Sequence, residues 1–159
     1  MGRQLPIEIF MPPNILKAKV GSTVGGIDMA AIKRAEAAME VLKAEFNDWL
    51  AVDVAKLGSC RDAYAKAPSA ATREELFRAA HDLKGQADTF EYPMIARVSA
   101  SLTRLIDMTN AATDVPLGLI DAHVAAVRVI FRDKIQSTTD KIASVLVEEL
   151  DARVTEALE

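Results

Sequence analysis

Leu76–Glu91, LFRAAHDLKGQADTFE, is the stretch on which the rest of the chain depends. Leu76, Ala80, Leu83, Ala87 and Phe90 recur every three to four residues, the spacing of an apolar stripe on a helix facing a core. His81, Lys84, Gly85 and Asp88 fall on a neighbouring strip, within two turns of one another. Glycine inside a helix costs about 1 kcal/mol relative to alanine. One turn from a histidine, that cost points to close approach of another molecule.

The flanking sequence has the same period. Thr72-x-x-Glu75 reads as a capping box that starts this helix, with Glu74 and Glu75 placed where the helix dipole favours them. Tyr92-Pro93 ends it and suits the first turn of a new helix. That helix carries Ile95, Val98, Leu102, Leu105, Ile106 and Met108 as its seam. Residues 110–116 form a turn. Leu117 then opens a run through Ile120, Val124, Val127, Ile130, Phe131 and Ile135. A connector over 136–140 leads to a last helix with Ile142, Val145, Leu146, Leu150 and Val154.

Upstream, Asp28 is the expected N-cap of a long helix with Ile32, Ala35, Met39, Leu42, Phe46, Trp49, Leu50, Val54 and Leu57 in period. Gly58-Ser59 is a candidate bend, Pro68-Ser69 a terminator, and Trp49 a core or interhelical residue. Residues 1–27 contain Pro6, Pro12, Pro13, Gly21, Gly25 and Gly26, which forbid a long helix there. They read as an extended or partly ordered arm.

His81-Asp-Leu-Lys84-Gly85 matches H-x-x-K-G, the signature of histidine-containing phosphotransfer (HPt) domains, the relay modules of two-component phosphorelays. The chain resembles that family without gaps from about Ala79 to Leu105, and more loosely over 28–135. The resemblance implies an all-α, antiparallel four-helix bundle over 28–136, with the arm before it and a helical extension over 137–159 after it. That last helix is either a fifth packed element or a surface for pairing.

The resemblance also implies the chemistry. His81 would accept a phosphoryl group from a receiver-domain aspartate and pass it to another. Neutral imidazole is a nucleophile near neutral pH. Lys84 would neutralise phosphoryl oxygens, and Gly85 would leave room for the partner. Any Mg²⁺ would sit on the receiver, so no cofactor is expected on this chain. The partners implied are response-regulator receivers and a hybrid histidine kinase. The chain itself has no nucleotide-binding motif and is a transfer intermediate, not an autonomous kinase.

The sequence departs from the family at three positions. Asp88 and Glu91 stand where members often have small residues or glycine. Asp88 would repel a phosphoryl group unless it pairs with Lys84 at i,i+4. Thr103 falls where many members have a glutamine beside the histidine, and a weaker hydrogen bond to the ring is the expectation. Gln86 is a candidate partner contact. These departures keep a second reading open: an adaptor of the same fold that binds receiver or kinase domains without being phosphorylated. A third is a helical module that self-associates.

Composition narrows the remaining classes. The chain has 159 residues and a net charge of −4, which does not suit a general nucleic-acid binder. Its single cysteine, Cys60, cannot make an internal disulfide, and a reducing cytoplasm is the expected compartment. No apolar run is long enough to span a membrane. His123, near Asp121 and Arg128, reads as a surface or partly buried helix residue. Neither histidine has the Glu-x-x-His spacing of a di-iron bundle, because Arg78 and Ile120 occupy those positions. Self-association, if present, is expected through the arm or the C-terminal helix.

Overall fold

The computed structural model describes residues 29–110 and 114–159, and among them the chain is helical with no strand. The arm over 1–27, the Asp28 cap and the middle of the 110–116 turn lie outside these residues. Five helices follow in order: α1 Met29–Lys66, α2 Ala70–Thr89, α3 Pro93–Met108, α4 Leu117–Arg132 and α5 Lys141–Leu158. The chain divides into two units, Met1–Ala38 and Met39–Glu159. In the first, the described residues are the opening turns of α1, all exposed.

The second unit holds the core. Leu50, Val54, Leu57 and Tyr64 enter it from α1, and Leu76, Ala80, Leu83 and Ala87 from α2. α3 packs against α2, α4 and α5, and its Ile95, Val98, Leu102 and Leu105 have no solvent exposure. Ile120, Val124, Val127 and Ile130 of α4 complete the core with Val147, Leu150 and Val154 of α5. Of the two roles open to the last helix, the structure shows packing: α5 lies against both α3 and α4.

Local chemistry sets the helix ends, in places one turn away from the sequence expectation. α2 is capped by Ser69, not Thr72. The Ser69 hydroxyl accepts from the Thr72 N–H, and the Thr72 hydroxyl accepts from the Ser69 N–H. The capping box is therefore S-x-x-T, and Pro68 keeps the chain extended just before it. Asp140 caps α5 through its carboxylate, which accepts from Ala143 N at 2.8 Å. Pro93 occupies the first turn of α3, as expected. Gly58-Ser59 does not interrupt α1, which runs on to Lys66.

α2 and α4 end alike. Tyr92 N donates to Ala87 O at 2.7 Å, and Glu91 N to Asp88 O at 3.2 Å. Ile135 N donates to Ile130 O at 3.0 Å, and Lys134 N to Phe131 O at 3.2 Å. Both are Schellman turns, in which one residue must adopt the left-handed region. Here those residues are Glu91, with φ 65°, and Lys134, with φ 52°, where glycine is the usual choice.

Several seam assignments change. Trp49 is exposed and outside the core, its ring leaning on Phe46 and on Phe90 at the end of α2. Met108, Ile142 and Val145 are also exposed, although their spacing matches the buried residues of their helices. His123 is fully buried, with Nδ1 2.7 Å from the Leu119 carbonyl.

Candidate functional site

α2 presents two sides to different surroundings. Leu76, Ala79, Ala80, Leu83 and Ala87 are buried, so the opposite side of the helix faces solvent. His81, Lys84, Gly85 and Asp88 are all exposed on that side. Gln86 and Phe77 are half-buried at its margins.

His81 stacks on the ring of Phe77, one turn earlier, with centroids 6.0 Å apart and planes 24° from parallel. Among the described residues nothing donates to or accepts from the imidazole, so both ring nitrogens are available to solvent. The Thr103 hydroxyl does not reach it. Thr103 is buried on α3 and donates to the Ala100 carbonyl at 2.8 Å, within its own helix. Phe77, which the sequence reading passed over, is the ring that lies beside it.

Lys84 makes no ion pair among the described residues, and the expected Lys84–Asp88 pair is absent. The neighbouring acids are engaged elsewhere. Asp82 lies 3.6 Å from Lys56 of α1, and Glu91 lies 3.6 Å from Lys43. Asp88 is exposed and keeps its carboxylate unpaired among the described residues. A cation and an anion therefore flank His81 and Gly85, each without an internal partner.

Gly85 faces open space. A Cβ built there meets nothing within 4 Å. Packing within the described residues therefore does not require a glycine here. Gly58 is the opposite case: it is buried under the Arg128 side chain, and a Cβ there would collide with the guanidinium.

Other nucleophile candidates fail on environment. Burial and the nearby Glu75 push the Cys60 thiol up, away from the thiolate. Burial holds the His123 imidazole below its ordinary range. Its Nδ1 carries the proton donated to Leu119, which leaves Nε2 bare, buried and unpartnered. Among the described residues no group of His, Cys, Asp or Glu converges as a metal site.

Distant ties hold the platform in place. Arg73 of α2 reaches the end of α3, donating from Nε to Ile106 O at 3.1 Å and from Nη2 to Thr109 O at 2.8 Å, with further contacts to the Ile106 and Asp107 carbonyls. The guanidinium thus serves carbonyls that the helix leaves open. Arg61 of α1 bonds Asp121 of α4 at 2.5 Å and Asp62 at 2.8 Å. The Tyr92 hydroxyl donates to Asn47 at 3.1 Å, linking the α2–α3 corner to α1.

The family model described as "Hpt domain" matches residues 41–156. The chain belongs to the Hpt family. Membership makes it a histidine phosphotransfer module of two-component signalling, a class that works with receiver domains and kinases. The matched span includes all of α2 to α4 and most of α5, so the last helix is part of the family unit. No curated protein and no solved structure matches the chain. Among the described residues no helix is long and apolar enough to cross a membrane.

Proposed function

We propose that this Hpt chain relays a phosphoryl group between receiver-domain aspartates through His81. The observation that carries the reading is the outer side of α2: an exposed imidazole, an unpaired ammonium one turn on, and a glycine above which a Cβ would meet open space. One unprotonated ring nitrogen attacks phosphorus, the acyl-phosphate P–O bond breaks, and the receiver carboxylate leaves. The other ring nitrogen can then release its proton to water. Return transfer reverses these steps onto a second aspartate.

Such transfer is mainly positioning and charge neutralisation. Lys84 meets the phosphoryl oxygens, Phe77 fixes the ring plane, and the Gly85 gap admits the receiver. Gln86 lies where it would touch that partner. The Mg²⁺ belongs to the receiver.

The unpaired Asp88 carboxylate favours the second reading, a docking adaptor that is not phosphorylated. One experiment separates the two. The chain is incubated with a receiver domain carrying labelled aspartyl phosphate and Mg²⁺. Relay predicts acid-labile, base-stable label on this chain that disappears in His81→Ala. Stable binding without label transfer identifies the adaptor.

A further inference from the structure

A phosphoryl group on His81 would bring up to about two negative charges and several acceptor oxygens. Lys84 alone does not balance it, because the unpaired Asp88 stands on the same side of α2. α2 has two other cations, Arg73 and Arg78. Arg73 is spent on the carbonyls at the end of α3. Lys56 of α1 is held by Asp82. Arg78 remains. It stands one turn before His81, as Lys84 stands one turn after it, and its side chain is 70 % exposed.

Helical neighbours at i,i+3 have Cβ atoms about 5–6 Å apart. Helical side chains also lean towards the N-terminus of their helix, over the preceding turn. The His81 ring does so, since it stacks on Phe77. It therefore lies over the turn that carries Phe77 and Arg78, while Lys84 approaches from the turn after. A group attached to the ring would have a cation on either side of it along the helix. Glu74 holds Arg78 ready: Arg78 Nε donates to Glu74 Oε1 at 2.7 Å, with the acid one turn before the base, the favourable order. That bond uses one donor. Among the described residues the Nη groups of Arg78 have no acceptor, and a guanidinium's paired N–H groups match phosphate oxygens.

We infer that Arg78 is a second phosphoryl-binding cation, meeting the group on His81 from the side opposite Lys84. The inference rests on the relay reading in taking His81 as the loaded residue. Glu74 is a positioning residue: it keeps its bond to Nε while the Nη groups donate to phosphoryl oxygens.

Phosphoramidate tests it on the full chain without any receiver. Its P–N bond breaks and ammonia leaves as the imidazole N–P bond forms. Phosphorus NMR then reads the loading rate and the pH midpoint of the bound phosphate. Arg78→Ala should slow loading by about two- to tenfold and raise that midpoint by about half a unit, because the dianion loses a cation. Arg78→Lys, which keeps the charge without the fork, should restore part of both. Arg153→Ala is the matched control: this exposed arginine of α5 holds Glu149 in the same i,i+4 geometry at 2.7 Å, and its loss removes the same charge. It should change neither reading, and circular dichroism should keep the helical signal in all three variants. An unchanged midpoint in Arg78→Ala overturns the inference, as does an equal shift in Arg153→Ala. A chain that phosphoramidate loads with the expected shifts, but that no phosphorylated receiver loads, would remove the relay and leave the Arg78 contact standing. A His81 that takes phosphoryl from neither source removes both.

Discussion

Gly85→Ala should strengthen the fold while slowing phosphoryl transfer. Gly85 sits in the interior of α2, exposed, where alanine is favoured by about 0.8–1.0 kcal/mol. No clash offsets that gain, because the added Cβ finds nothing within 4 Å. For a unit of this size about 1 kcal/mol corresponds to a rise in Tm of roughly 4 °C, read by thermal circular dichroism. Gly85→Leu should fold equally well, since its longer side chain also points to solvent. In the relay, both variants fill the space a receiver must enter. A misplacement of about 1 Å at a reacting centre can cost on the order of 100-fold, so transfer from a phosphorylated receiver to Gly85→Leu should fall about 10- to 100-fold, with a smaller loss for alanine. A lower Tm for Gly85→Ala would refute the account of the helix surface. Wild-type transfer by Gly85→Leu would refute the clearance role and leave the glycine without a functional reason.

Three further outcomes follow from features away from the site. His123 is buried and its imidazole is held below its ordinary range by desolvation; the unfolded chain therefore takes up the proton first, and stability present above about pH 6.5 should fall as pH drops below it. The hydrogen bond to the Leu119 carbonyl and the nearby Asp151 carboxylate on α5 oppose this only in part, so denaturant titrations at pH 7 and 5 should show a larger loss for wild type than for His123→Leu. Lys134→Gly should stabilise the chain by about 1 kcal/mol, because the residue sits at φ 52° in a Schellman turn; an unchanged or lower urea midpoint would count against the strain. Arg73→Ala should cost about 1.5–3 kcal/mol by removing charge-assisted bonds to the α3 terminus, and a neutral result would mean that water replaces the guanidinium without penalty.

The buried stripe of α2 was legible because a three-to-four spacing with an uninterrupted polar side leaves one orientation. Periodicity failed where it could not say which apolar side has a neighbour. Trp49 is exposed while Leu50, one position on, is fully buried, so the run has two apolar sides and only one of them enters the core. Ile142 and Val145 mislead for the same reason at the start of α5. His123 could have been found: it lies three residues after Ile120 and four before Val127, on the buried side of α4, but the charged Asp121 and Arg128 drew attention instead. The α2 start was misplaced because T-x-x-E and S-x-x-T overlap by one turn, and only the extended backbone at Ser69, with φ −157°, distinguishes them. At the site, spacing alone suggested bonds that the side chains do not make. Lys84 and Asp88 are correctly spaced to pair but remain apart, and Thr103 has a closer acceptor in its own helix.

Among the described residues the imidazole of His81 makes no hydrogen bond or ion pair, and the Phe77 ring lies beside it. Loading it would therefore break no internal hydrogen bond. In the proposed relay the group would then arrive with no broken bond to announce it. Whatever reads it must collide with it and take the group away, so traffic would be governed by the concentrations of donor and acceptor, and the direction of flow by which of the two is left empty.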